Sequence, residues 1–436
     1  MDYIEAASSL LNTVKRCVSP FHVVKMAEER LEKAGFTKLS LNEKWNISYN
    51  GKYYINVYDT SFVAFTVGAK LEGEKKIRIA TAHNDFPCLR IKPKCEIKEG
   101  DYLKLNVEVY GGAILNTWLD RPLSVAGKVV VKGGTAFSPK VRFFDAGKPV
   151  LVVPNLAPHI NRDINKGYEY NKQKDMLPII DVIDGEINED DYLIKYISKE
   201  IDVNPEDILD VELVAYQYEE GCFAGANQTM ISSPRLDNIT SVEACLFGME
   251  NAVRENGINL IAMFDNEEIG SGTKQGAASL VLNMILERIY ISLGISREEF
   301  LADVSEGFIL SADVAHCLHP NYTEKNDITQ KAMLNKGVVI KKDSSQKYAN
   351  DSEGVAIVKN LCERAGASCQ LFSNRSDATG GSTLGSIISR SLPMRTVDVG
   401  VPILAMHSAR ELMGIKDQLA LDKLIKELFC NYKRMC

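Results

Sequence analysis

Acid–base and metal-binding side chains recur where the apolar runs of this chain end. Ile258, Leu260, Ile261, Ala262 and Met263 lead into Phe264-Asp265-Asn266-Glu267-Glu268-Ile269-Gly270, two adjacent glutamates ahead of a glycine turn. Ile77 to Ala80 runs into Thr81-Ala82-His83-Asn84-Asp85, Phe308 to Ser311 into Ala312-Asp313, and Pro402 to Met406 into His407. Asp237 follows Ser233-Pro234-Arg235-Leu236, just ahead of a helical pattern. Taken singly, a Glu-Glu pair is a solvated turn and an Asp before a helix is an N-cap. Recurrence at strand ends points instead to one site, because ligands of open α/β sheets bind beyond the carboxyl ends of the strands.

Imidazoles and carboxylates without thiolates suit zinc or a similar divalent ion at a catalytic rather than a structural site. Two ions about 3.5–4 Å apart need a shared carboxylate, activate a common water and polarise a carbonyl; Asp237 suits the shared position. A His-x-Asp triplet on a strand puts both side chains on one face, so Asp85 is expected to accept the second imidazole N–H of His83. Adjacent glutamates suit one ligand and one general base. Asp313 has an alternative as the cap of a helix opening at Val314.

The elements that must carry these residues are legible in outline. Ser19-Pro20 and an apolar stripe through Val23, Val24, Ala27 and Leu31 to Gly35 predict a helix. Tyr53 to Ala69 and Ile77 to Ala80 read as strands, and Phe308 to Ser311 and Thr396 to Val399 as further ones. Helices are expected over Val242 to Val253, Ala277 to Leu293 and Gly354 to Ala365. Between them the texture changes: Leu103, Leu105, Val107 and Val109 alternate with Lys104, Asn106, Glu108 and Tyr110, the period of a strand with one wet face. The expected architecture is α/β, a mixed and largely parallel sheet flanked by helices, formed by residues 1–93 and 223–436, with a β-rich domain inserted at 94–222.

The 436 residues, 45% hydrophobic and 25% charged, have the composition of a globular chain with a large core. A formal charge of −7 without a basic block argues against nucleic acid and against anionic lipid as partners. No apolar run approaches the roughly 18 residues of a membrane span, and Asp2 and Glu5 stand where a secretory signal carries cations. A cytoplasmic protein is expected. Ten scattered cysteines without Cys-x-x-Cys suggest reduced thiols.

The chain resembles the aspartyl aminopeptidase family of two-metal exopeptidases along its whole length. The resemblance is carried by His83-Asn84-Asp85-Phe86-Pro87-Cys88-Leu89-Arg90, Trp118-Leu119-Asp120-Arg121-Pro122-Leu123, Ser233 to Asn238, Phe264 to Ser271, Ser311 to His316, His319-Pro320-Asn321-Tyr322, Gly380 to Gly385 and Met406 to Glu411. It implies a metallo-aminopeptidase holding two divalent ions per subunit, with zinc expected and manganese or cobalt as alternatives. The implied ligands are His83, Asp237, Glu268, Asp313 and His407, with Asp237 bridging, Glu267 as general base and Asp85 supporting His83. His316, Lys341 and Tyr348 would line the pocket for the peptide substrate. His159, from the inserted domain, would reach a neighbouring subunit's active site in a tetrahedral dodecamer built from dimers. The family's preference for acidic N-terminal residues would use Lys341, although Asn84 and Phe86 stand where hydroxyl side chains are commoner. Another two-metal amidohydrolase, a carboxypeptidase or deacylase, and a non-catalytic assembling scaffold are the alternatives.

Overall fold

The first two helices of the chain are each set by a side chain at the N-terminus. In Tyr3–Arg16, Asp2 accepts the N–H groups of Ile4 and Glu5 while Glu5 returns a carboxylate to the Asp2 N–H, a capping box that leaves few amide groups unsatisfied. Pro20–Lys33 opens with Ser19 as its cap and proline in its first turn, as the sequence predicts. The structure, a computed structural model, describes residues 1–183, 191–378 and 380–430. These fall into two compact units: Met1–Asp85 with Gly221–Met406 and the chain from Glu411 onward, and Phe86–Glu220 with His407–Arg410.

The first unit is built on a nine-stranded mixed sheet in the order Thr37–Leu39, Lys52–Val57, Ser61–Val67, Ile258–Phe264, Ile77–His83, Phe308–Ala312, Arg395–Gly400, Val338–Lys342, Cys369–Ser373. Its central four strands, from Ile258–Phe264 to Arg395–Gly400, run parallel. Both Ile77–His83 and Ile258–Phe264 are buried at every position, which is what a parallel strand covered on both faces requires. Register then decides where the polar residues emerge. Phe264 pairs with His83 and Ser311 with Thr81, so these strands end along a single edge, and Glu267, Glu268 and Asp313 follow immediately beyond it.

The stretch Tyr53 to Ala69 is a hairpin rather than one strand. Tyr58 and Asp59 both take positive φ, 57° and 66°, and the Asn56 side chain accepts the Asp59 N–H at 2.8 Å. That local bond gives the chain a tight turn that alternation of apolar residues does not reveal. The expected helix at Val242 begins earlier, at Leu236, after Arg235 in the left-handed region, with Asp237 and Asn238 outside helical geometry in its first turn. No helix opens at Val314, where a short strand, Ala315–His316, follows instead.

The second unit contains a six-stranded sheet in the order Lys140–Asp145, Leu123–Val131, Ile208–Gln217, Cys88–Glu99, Tyr102–Tyr110, Ile179–Val182, antiparallel throughout. Leu103, Leu105 and Val107 point inward and Lys104, Asn106 and Glu108 outward. The helix Tyr192–Glu200 covers this core with Leu193 and Ile197. His407–Arg410 is tied in by backbone: Ile114 donates to the His407 carbonyl at 3.0 Å and Ala409 to Thr117 Oγ1 at 2.8 Å.

Among the described helices no apolar segment is long enough to cross a membrane. The helix carrying Asp237 is anchored instead by a buried charge. Glu243, 2% exposed, accepts Ser9 and Thr13 hydroxyls at 2.8 and 2.6 Å and the Arg30 guanidinium at 2.5 Å. Arg30→Ala leaves that carboxylate without its cation and should lower stability by about 3 kcal/mol, the lower end of the cost of an uncompensated buried charge. Glu243→Gln should cost less, because it removes the charge while retaining hydrogen-bonding atoms; denaturant melts of the two variants measure the difference.

Candidate metal centre

His83 stands at the last position of its strand, 1% exposed. Its Nε2 is 3.2 Å from Asp237 Oδ1 and 3.5 Å from Asp313 Oδ1. Its Nδ1 is 3.0 Å from the Asp85 carbonyl and 3.4 Å from Asp85 Oδ1. The expected imidazole–carboxylate contact is thus the longer of two. The strand stops at His83, so the alternation that would put the two side chains on one face does not extend to Asp85. The Asp85 carboxylate also accepts the backbone N–H groups of Glu267 and Glu268 at 3.1 and 3.2 Å.

Asp85 therefore holds the turn on which both glutamates ride. That turn is braced again behind Asn266, whose φ is 66°, by bonds from Thr273 and Gln275 to its side-chain oxygen at 2.8 and 3.1 Å. Asp237 is held through its own N–H, which donates to buried Glu411 at 2.9 Å. Asp313 donates its N–H to Val399 at 2.8 Å. Gly400 beside it is required by close approach, since a Cβ there would sit 1.5 Å from the Asp313 carbonyl oxygen. On the far side Lys341 Nζ meets Asp313 Oδ2 at 3.2 Å.

Among the described residues, ligand atoms of His83, Asp237 and Asp313 lie within 4.8 Å of one another, as do those of His83, Glu267 and Glu268. The donor set is one imidazole with carboxylate oxygens, negative in sum, and it fits a hard or borderline divalent ion. The electrostatics of these side chains show the same demand for positive charge. Burial opposes a charge on His83, but its bonds to Asp237, Asp313 and Asp85 outweigh burial and hold the imidazole protonated well above its usual range. Burial pushes Glu267 up to about 7, with His83 opposing and Asp313, Asp85 and Asp237 adding to the rise. For Asp313, burial is outweighed by Lys341 and His83, which hold it below the usual carboxylate range.

The other expected residues are distributed unevenly. Lys341 is 2% exposed, its ammonium engaged by Asp313 and 5.2 Å from the centre of the Tyr348 ring. Tyr348 is 5% exposed, its hydroxyl accepting from Asn374 Nδ2 at 3.3 Å. His316 is exposed and borders a pocket of about 330 Å³ that Phe372, Asn374, Arg375 and Met406 also line. His407 and His159 belong to the second unit. There His407 has a φ of 67° and its Nδ1 is 3.2 Å from the Gly112 carbonyl, while His159 is exposed in the turn that Ile160 and Asn161 close onto the Ala157 carbonyl.

Three contributors escaped the sequence. Glu411, Gly400 and buried Asp398, which accepts the Ala349 N–H at 2.5 Å, all act through neighbours distant in the chain. The one available signal was a charged residue inside the apolar run Thr396 to Val399, since an unexplained charge in a covered strand marks a site or a buried bond.

The model of the family described as "Aminopeptidase I zinc metalloprotease (M18)" matches residues 13–429. A probable M18 family aminopeptidase 2 of Clostridium acetobutylicum is 44% identical over 427 residues, covering 98% of this chain and 99% of its own. Aspartyl aminopeptidase 4 of Saccharomyces cerevisiae is 37% identical over 468 residues, covering 99% and 95%. The solved structure of the mApe1 dodecamer of S. cerevisiae superposes with a TM-score of 0.85 at 25% identity, covering 98% of this chain and 97% of that one.

Because His83 is held protonated by the carboxylates around it, an ion entering the site must displace a proton. Uptake of zinc by the metal-free protein at pH 7 should release protons, and affinity should weaken as pH falls. Titration calorimetry in two buffers of different ionisation enthalpy reads this directly. Heats independent of the buffer would show that His83 does not give up a proton to the ion.

Proposed function

The chain belongs to the M18 family of zinc metallo-aminopeptidases, and on that premise we propose that it removes the N-terminal residue of peptides with a two-ion centre at the strand ends of its first unit. The single observation that carries this reading is the gathering of His83, Asp237, Asp313, Glu267 and Glu268, distant in sequence, into overlapping ligand groups. In the proposal His83, Asp237, Asp313, Glu268 and His407 hold the ions, with Asp237 shared. His407 enters through its motif, Met406-His407-Ser408. Bound ions would supply Lewis acidity and lower the pKa of a shared water.

The remaining steps fall to the chain itself. Glu267 takes the proton of the attacking water and returns it to the departing amine, which places it in the role of general base and then general acid. Asp85 fixes the direction of Glu267 by holding its backbone N–H. Asp313, beyond the same edge on the strand at the other side of Ile77–His83, holds His83, and Lys341 balances its charge.

Acidic N-terminal residues are the proposed preference. The name of the yeast relative supports it, and so does the Lys341 ammonium. Were Asp313 to hold an ion, its carboxylate would be shared between that ion and Lys341, and the ammonium would be available to a substrate carboxylate. The second unit is proposed to mediate assembly into a dodecamer built from dimers, with exposed His159 reaching a neighbouring subunit; the dodecameric relative supports this. A cytoplasmic setting is part of the proposal, on the ten scattered cysteines without Cys-x-x-Cys.

Glu267→Gln tests the reading. The variant should keep its zinc content by elemental analysis yet lose roughly 10²–10⁴ in kcat, assayed with Asp-, Glu- and Leu-terminated peptides. Wild-type turnover should be highest on the acidic pair. Undiminished kcat in the variant would remove Glu267 from the base role, and a preference for the leucyl peptide would remove the acidic specificity while leaving the peptidase reading intact.

A further inference from the structure

Residues 343–351, between the strand Val338–Lys342 and the helix Ser352–Ala365, form neither helix nor strand. Buried backbone without a ladder of its own must find partners elsewhere. Two of them come from one residue. Buried Ala349 donates its N–H to Asp398 Oδ2 at 2.5 Å, and its carbonyl accepts the Asp398 N–H at 3.0 Å. Asp398 lies within the covered strand Arg395–Gly400, fully buried. The neighbouring strand pairs Val339 with Gly400 and Ile340 with Val399, and at Asp398 Ala349 takes the next place. Gly385, at the start of the helix Leu384–Ser391, packs on the same carboxylate, since a Cβ there would sit 2.5 Å from Asp398 Oδ2.

The two residues before Ala349 carry the wall of a pocket. Lys347 Nζ donates to the Gly380 carbonyl at 2.8 Å, and the Lys347 carbonyl accepts the Thr383 N–H at 3.3 Å. The Tyr348 hydroxyl accepts from Asn374 Nδ2 at 3.3 Å, and its ring centre is 6.5 Å from that of Phe372. Phe372, Asn374 and Gly380 line the pocket of about 330 Å³ that His316 borders. Three lining residues thus lean on Lys347 and Tyr348, and these are held through Ala349 by Asp398. Covered parallel strands are ordinarily apolar, and burying a carboxylate is costly, so packing alone gives no reason for an acid at this position.

We propose that Asp398 is a positioning residue for peptide recognition: by clamping Ala349 it sets Lys347 and Tyr348, and through them the Phe372, Asn374 and Gly380 wall of a pocket that receives the peptide. The inference rests on the reading of the site as an aminopeptidase centre. Being fully buried, Asp398 touches no substrate and acts only through the segment it holds. A wall fixed in advance binds without being ordered at the moment of binding, whereas a loosened one meets that cost on every encounter. The clamp therefore acts on affinity for the peptide rather than on the chemical step.

The test is calorimetric binding of an uncleavable peptide, aspartyl at its N-terminus with the first peptide bond reduced to a methyleneamine, to the full-length zinc-loaded protein. Asp398→Ala should weaken Kd about tenfold, the ordering cost of a few loosened side chains, with zinc content by elemental analysis unchanged. Asp398→Asn retains an acceptor oxygen for the Ala349 N–H and should bind like the unmutated protein, a rescue that a role in bulk stability alone does not predict. Undiminished affinity in Asp398→Ala, an equal loss in Asp398→Asn, or no binding by the unmutated protein would each overturn the proposal. Should Asp398→Ala not fold, hydrogen exchange of the unmutated protein decides: the Ala349 amide should exchange as slowly as those of Arg395–Gly400, and exchange at the rate of an open loop would overturn the clamp. Failure of the peptidase reading shows separately, as an ordinary aspartyl peptide left intact by a protein that still binds the reduced one.

Discussion

Concentrated negative charge at the ends of covered parallel strands is the constraint on which the first unit depends. Asp85, Asp237, Asp313, Glu267 and Glu268 gather around one buried imidazole, and burying carboxylates without compensation is expensive. Within the chain His83 and Lys341 supply compensation: bonds to the carboxylates favour the charged imidazole and the ammonium pairs with Asp313. Much of the surrounding structure prevents the acids from relaxing away from one another. Asp85 clamps the glutamate turn by two amides, Glu411 holds Asp237 by its N–H, and Gly400 lets the Asp313 backbone approach its neighbouring strand.

How much of this was legible in the sequence depended on the range of the interaction. The strand Ile258–Phe264 announced itself as an unbroken apolar run, and the parallel register carries its glutamates to the edge where His83 ends. Residue type and position relative to a strand end were enough to nominate His83, Asp237, Glu267, Glu268 and Asp313. The contact of Asp85 with His83 was legible, but its hold on the Glu267 and Glu268 amides was not, because that depends on where the strand stops, a matter of a single residue. The hairpin at Tyr58 was missed for a related reason: a side-chain bond from Asn56 ends one strand and starts the next without interrupting the apolar pattern. Glu411, Asp398 and Gly400 were out of reach, since their partners lie elsewhere in the chain.

Lys341 shows how a charged residue in a covered strand serves two ends. Its stem lies in the strand Val338–Lys342 among buried neighbours, and its ammonium meets Asp313 beside the Tyr348 ring. There it steadies an acid. In the proposed loaded site its charge would become available to an acidic substrate residue, and the same group would link metal occupancy to specificity.

The central claim is that these strand-end acids and His83 exist to hold divalent ions. Anomalous diffraction at the zinc edge, from crystals of the zinc-loaded protein, tests it most directly. The account predicts strong peaks about 2.0–2.2 Å from ligand atoms of His83, Asp237 and Asp313, with a second ion reached by Glu268. Fully occupied zinc elsewhere, with His83 still bonded to Asp237 and Asp313 and no peak between them, would contradict it.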